Sequence, residues 1–468
     1  AISLKSRRPG SATTLYLAEA HYNLGVALQA TGNLDAAIVQ YKKATGRGEA
    51  FASAILPQAH INLGNALREL LSIDEAISAY KTAIQLHPQH PDAHWNLAIT
   101  LLLAGKLQEG FAEYQWRWQT AKFTQRQFPQ PQWDGSSLES KTILIHAEQG
   151  LGDTIQFSRY IPIVADSGGK VILECPTPLV RLLQTLPGIH QIIPTGDNLP
   201  EFDCHTPLMS LPHILGTTLE TIPHDIPYLF PPSSPVGAKH SRTIPFVSLE
   251  DLDANAVAPT ESPSLPVSES PSLPVSPSRR LKVGIVWAGN PQHEKDSERS
   301  TSLNHFLSLG KIPGVALYSL QKGAGAEQLT PEMPVEDFGK NLFDFADTAA
   351  AIAQLDLIIS VDTAVAHLAG AIGKPVWLLL PFSPDWRWML DREDSPWYPT
   401  MRLFRQPQPG DWQTVFQRVQ DQLYGIIPPL PNPSANNSTI TNVNKRRIGI
   451  GWQLSQVTGW GIYGTNLA

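Results

Sequence analysis

The sequence predicts an α + α/β chain: an N-terminal helical solenoid followed by two parallel α/β halves. Three observations predict it. A nine-residue pattern recurs at helical-repeat spacing within residues 18–120. Beyond residue 140, short β-rich runs alternate with glycine turns and amphipathic stretches, in two blocks. A Pro/Ser tract separates those blocks. The chain has 468 residues, room for about three domains at ~150 residues each.

The solenoid comes first. Ala20-His-Tyr-Asn-Leu-Gly-Val-Ala-Leu28, Ala59-His-Ile-Asn-Leu-Gly-Asn-Ala-Leu67 and Ala93-His-Trp-Asn-Leu-Ala-Ile-Thr-Leu101 align. Leu63 and Leu97 are 34 residues apart; Leu24 and Leu63 are 39 apart, the same period with a five-residue insertion around residues 46–54. A second amphipathic stretch follows each segment and ends at Tyr41, Tyr80 and Tyr114. Each unit therefore reads as a helical hairpin. Gly25 and Gly64, with Ala98 in the third unit, let the first helix approach the second; Ala37 and Ala76 do the same from the other side. A solenoid of this kind offers a face to a protein or peptide. The recurring Asn23, Asn62 and Asn96 are its candidate partner-binding residues. Trp116 and Trp118 are expected to seal the last hairpin against the next domain.

The first α/β block runs over 140–230, with a strand at Thr142-Ile-Leu-Ile-His-Ala147, a helix over 155–165 and a second strand at Lys170-Val-Ile-Leu-Glu-Cys175. A helix over 179–186 and a strand at 191–194 follow, and the pattern fades after Pro212. The second block, 281–427, opens at Leu281-Lys-Val-Gly-Ile-Val-Trp287. It continues as helix 303–309, strand 315–320, helix 345–355, strand 357–361, helix 363–372, strand 375–380 and a last helix over 412–424. Strand, turn, helix, strand is the grammar of a parallel sheet. Between the blocks, residues 259–278 carry 6 Pro and 7 Ser and include a tandem copy, 261–268 and 269–276. Such a composition cannot bury a core, so 231–280 is expected to be a disordered insertion. Residues 15–122 delimit the solenoid. Residues 428–468 read as a linker and the truncated start of a further domain, so the chain reads as a fragment.

Net charge of −7 disfavours nucleic acid as the main partner. Two cysteines, Cys175 and Cys204, make no disulfide framework. No apolar run nears the ~18 residues of a membrane span. A cytoplasmic location is expected.

Chemistry is expected where the halves face each other, beyond the carboxyl ends of strands. In Gln149-Gly-Leu-Gly-Asp-Thr154, Gly150 and Gly152 allow close backbone approach, and Asp153 stands at a helix mouth. It reads either as a general base or as a helix cap. In Ser360-Val-Asp-Thr-Ala-Val-Ala-His367, Asp362 and Thr363 stand where a strand becomes a helix. Ala364 leaves room, the helix terminus favours a diphosphate, and His367 lies one turn on. Lys295 and Arg299 are the nearby cations.

These residues resemble the heptosyltransferase-like glycosyltransferase family 9, and the repeats resemble tetratricopeptide repeats. The resemblance implies two Rossmann-like halves in the GT-B arrangement. It implies Asp153 as base for an acceptor hydroxyl. It also implies Asp362, Thr363, Ala364 and His367 as holders of a nucleotide-sugar diphosphate. The activity it implies is an inverting transfer with no metal and no cofactor beyond the nucleotide sugar. The competing reading is a tetratricopeptide scaffold carrying a silent GT-B module.

Overall fold

The computed structural model describes residues 9–46, 55–232 and 280–427. The expected insertion loops and the C-terminal segment lie outside them, save for the edges of 231–280.

Six helices form three antiparallel hairpins: α1 (Pro9–Ala30) with α2 (Leu34–Thr45), α3 (Ile55–Glu69) with α4 (Ile73–Leu86), and α5 (Pro91–Leu103) with α6 (Leu107–Tyr114). Local chemistry sets their ends. The Asn33 side chain accepts the Ala36 amide at the start of α2, and Pro91 opens α5 where its missing N–H costs nothing. In the first two hairpins the small residues work as expected from the repeat; in the third the close approach is at Gly110, against Leu102, and not at Ala98. A Cβ placed on Gly64 would lie 2.5 Å from Cε1 of the buried Tyr80 ring, and one on Gly25 would lie 2.6 Å from that of Tyr41. Gly64→Ala is therefore expected to overpack the second hairpin and destabilise it by about 1–3 kcal/mol. A lower midpoint for loss of the helical circular-dichroism signal would register this.

The first α/β half has four parallel strands in the order β3-β2-β1-β4: β1 (Thr142–His146), β2 (Lys170–Cys175), β3 (Ile189–Pro194) and β4 (Cys204–Pro207). Helices α7 (Leu151–Phe157), α8 (Ile161–Asp166), α9 (Val180–Leu183) and α10 (Leu211–Ile214) connect or follow them. The second half has six parallel strands in the order β10-β9-β8-β5-β6-β7: β5 (Leu281–Val286), β6 (Val315–Ser319), β7 (Val335–Asp337), β8 (Leu357–Val361), β9 (Val376–Leu380) and β10 (Met401–Arg405). Its helices are α11 (Asp296–Arg299), α12 (Leu303–Leu307), α13 (Phe345–Ala353), α14 (Ala364–Ala371) and α15 (Trp412–Ile426).

The strand order reverses at β1 in the first half and at β5 in the second, so each sheet has a switch point. Strands β1, β5, β8 and β9 are covered on both faces and read as apolar runs. Three strands carry no such signal. Cys204-His-Thr-Pro207 is polar, Val335–Asp337 is three residues long, and Met401–Arg405 is interrupted by two arginines. The fading pattern after Pro212 corresponds to irregular chain that crosses to the second half, where the Tyr228 amide bonds Ala371 O at 3.0 Å. Cys175 and Cys204 are buried free thiols. Among the described residues, no helix is long and apolar enough to cross a membrane.

Candidate active site at the junction of the two halves

Helix α7 begins at Leu151, earlier than the residue-155 start read from the sequence, so Gly152 and Asp153 lie in its first turn. The cause is Asp153 itself. Its Oδ2 accepts the Gly150 amide at 2.9 Å, which closes the turn and starts the helix. Gly150 is the N-cap residue and Asp153, the third residue of the helix, reaches back to it; Asp153 also does something this does not require, since Oδ1 pairs with Arg387 of the second half. Gly152 lies at the contact of α7 with α14; a Cβ there would meet His367 Cδ2 at 3.0 Å and Ala364 Cα at 3.5 Å. The two glycine- and threonine-marked turns thus abut directly.

In the second half, Asp362 follows β8, and Thr363 is the N-cap residue of α14 with its hydroxyl 3.1 Å from Ser360 Oγ. Asp362 Oδ2 accepts the Trp388 indole N–H at 2.8 Å, and its Oδ1 is 3.9 Å from His367 Nε2. His367 Nδ1 is 3.0 Å from the Tyr398 hydroxyl, and its ring stacks on Trp388. Burial, aided by Asp385, pushes the Asp362 carboxyl up to about 6. Burial, with the guanidiniums of Arg387, Arg159 and Arg299, holds His367 well below the ordinary histidine value, so it is neutral.

The Asp362 shift has a stability consequence. Its folded value lies above the ordinary 3.8, so the group's contribution is full below that pH and lost as pH rises through about 6. Asp362→Asn is expected to melt higher than the parent near pH ~7.5, with the gap closing toward pH ~4. Parallel melting curves across that window provide the check.

Arg387 is the residue the sequence reading missed. It is buried and donates from Nε to Gln156 Oε1 at 2.6 Å, from Nη1 to Asp385 Oδ1 at 2.9 Å, and from Nη2 to Asp153. Burial works against its charge, but Asp385 and Asp153 outweigh that and hold it protonated. The signal was present: Pro381–Trp388 follows the carboxyl end of β9, where open sheets place ligand groups. Arg159 makes a second tie between the halves, donating to Trp397 O at 2.6 Å and to the Tyr228 hydroxyl at 3.1 Å.

The two predicted cations differ. Arg299 bonds Asp296 at 3.1 Å, is packed under Gly289, and lies near enough to favour the charged form of Asp362. Lys295 stays on the solvent side, 3.8 Å from Glu298. An open depression of about 570 Å³ is lined by Ser297, Ser300, Thr301, Ser302, Asn304, Gln328 and Met333. Among the described residues, no group of three or more His, Cys, Asp and Glu is placed to hold a metal.

In the repeats, Asn23 is exposed on α1, and Asn96 is half-buried on α5. Asn62 on α3 accepts from Gln58 at 3.0 Å and donates to the Tyr22 hydroxyl at 3.4 Å.

Residues 18–47 match the tetratricopeptide repeat and residues 64–105 the TPR repeat. Protein FlbA of Caulobacter vibrioides is 26% identical over 355 residues, covering 70% of this chain and 54% of FlbA. The chain thus spans about half the length of that curated relative. The structure of E. coli ADP-heptose lps heptosyltransferase II is 17% identical with a TM-score of 0.37, covering 61% of this chain and 98% of that one. The glycosyl transferase family 9 structure from Veillonella parvula is 12% identical with a TM-score of 0.39, covering 63% and 99%. The chain joins N-terminal tetratricopeptide repeats to two parallel-sheet α/β halves.

Proposed function

We propose that this chain is an inverting glycosyltransferase that takes a nucleotide-diphosphate sugar as donor. The observation that carries the reading is the juxtaposition at the junction. A carboxylate from one half, Asp153, paired with Arg387, stands in the turn that packs against the Asp362–His367 turn of the other. In the reaction, the acceptor hydroxyl gives its proton to Asp153 as its oxygen attacks the anomeric carbon. The bond from that carbon to the diphosphate breaks, and the nucleoside diphosphate leaves with the electron pair. A carboxylate accepts about four hydrogen bonds. The described residues use two on Asp153, from Gly150 and Arg387, leaving acceptor capacity for the hydroxyl. Arg387 fixes the carboxylate's orientation.

The diphosphate would be met by Arg299 and by the Thr363 start of α14, whose exposed N–H groups favour anions. This assigns charge neutralisation to protein groups, so chelation with EDTA is expected to leave turnover unchanged; a rise in activity on adding Mg²⁺ or Mn²⁺ would contradict it. The repeats would receive a protein or peptide, with Asn23, Asn62 and Asn96 as the candidate contacts on α1, α3 and α5.

The test is release of nucleoside diphosphate from a panel of nucleotide sugars, with and without candidate protein acceptors. Turnover by the parent chain, lost in Asp153→Asn, supports the reading. A chain that binds repeat ligands but turns over none of the donors would favour the scaffold.

A further inference from the structure

The third hairpin departs from the first two at three equivalent positions. Gly25 and Gly64 become Ala98; Ala37 and Ala76 become Gly110; Ile38 and Ile77 become Phe111. The tyrosine is kept, but its hydroxyl changes partner. Tyr41 bonds Gln29 at 2.9 Å, and Tyr80 bonds Asn65 at 2.8 Å, each within its own hairpin. Tyr114 instead receives a 2.7 Å bond from Gln149 Nε2, one residue before the Gly150–Asp153 turn.

Sterics explain the exchange. The rings of Tyr41 and Tyr80 occupy the space a Cβ would need on Gly25 and Gly64. Ala98 has that Cβ, so Tyr114 cannot take the same seat. The close approach moves to Gly110, where a Cβ would strike Leu102 Cγ at 2.7 Å. Two further contacts leave the same hairpin and the turn after it. Arg117, fully buried, donates to Glu148 Oε1 at 2.8 Å and Ser210 Oγ at 2.7 Å in the first half. Phe111 packs edge-on against Trp386, at 5.7 Å between centroids, in the second half beside Arg387. Ala98, Leu102, Leu107, Phe111 and Tyr114 belong to the hydrophobic core of the α/β halves, whereas α1–α4 chiefly share a core of their own.

We propose that the third hairpin is a built-in brace that positions the Asp153–Arg387 pair, gripping the Asp153 turn through Tyr114 and Arg117 and the Arg387 segment through Phe111. The role given to that pair rests on the transferase reading; the bracing does not. The hairpin is a positioning element and touches no reacting atom.

The experiment is amide hydrogen exchange on the full chain, comparing the parent with Tyr114→Phe, Phe111→Ile and the control Tyr80→Phe. Losing one buried hydrogen bond, or one edge-on aromatic contact, is expected to speed exchange about twofold to tenfold in the segments it holds. Tyr114→Phe should show this at Gly150–Phe157, and Phe111→Ile at Asp385–Trp388, with β5 unchanged. Tyr80→Phe should leave both segments as in the parent. Where the parent turns over a donor, Tyr114→Phe should lower kcat while the Kd for the nucleoside diphosphate holds. Unchanged exchange in both segments would overturn the proposal. So would faster exchange spread evenly through β5, since the hairpin would then only add stability. A parent without turnover would defeat the transferase reading alone, because the exchange data still judge the brace.

Discussion

Asp153→Asn is expected to lower kcat by about 10²–10⁴-fold, the range for loss of a general base, with little change in donor affinity. Asparagine is nearly isosteric, and its carbonyl oxygen can still accept the Gly150 amide that starts α7. What it loses is the negative charge facing Arg387 and the capacity to take a proton. The guanidinium keeps Asp385 and Gln156, so the fold is expected to survive. Steady-state kinetics with an identified donor, alongside a melting curve, separate the two effects. A variant that folds normally and keeps kcat would remove Asp153 from the chemistry and leave it as a helix cap.

Arg387→Met is expected to have the largest effect on stability, about 3–5 kcal/mol, the cost of breaking a buried ion pair from one side. Removing the guanidinium leaves Asp153, Asp385 and the nearby Asp362 as carboxylates facing one another without their shared cation. It also cuts the link from α7 to the segment after β9, since Gln156 loses its donor. Turnover is expected to fall with it, because Asp153 would lose its orienting partner. In the double variant with Asp153→Asn, the losses should add to less than their sum, since both report one pair. Chemical denaturation of the four chains measures this coupling; strict additivity would mean the pair is incidental.

Much of the fold was legible because its signals are local. The 34-residue period, the paired small residues and the apolar strands each state one element's environment. The missed strands, Cys204–Pro207, Val335–Asp337 and Met401–Arg405, are short or polar, and neighbouring strands rather than their own pattern define them. The site was partly legible for the same reason. Asp153 and the Asp362–His367 turn sit at strand-to-helix turns that glycine and threonine mark. Arg387 sits in a single 3-10 turn, Trp386–Trp388, too short to show a period, and its meaning comes from groups more than 200 positions away: Gln156 and Asp153. No spacing rule reaches that far. Lys295 illustrates the reverse: close in sequence to Arg299, it turns to solvent because α11 is a single turn with no buried face.

A nucleoside diphosphate is proposed to be held by the Thr363 start of α14, within the Asp362–His367 turn, and by Arg299. The most direct measurement is a binding titration of ADP, GDP, UDP and CDP against the full chain, repeated with Asp362→Ala and with Arg299→Gln. A ligand at ~100 times its Kd stabilises the folded state by about 2.7 kcal/mol, so a thermal shift reads the same event. Saturable binding of at least one diphosphate is expected, lost in Asp362→Ala and weakened in Arg299→Gln. Absence of binding by a folded parent chain, or binding that both variants retain in full, would contradict it.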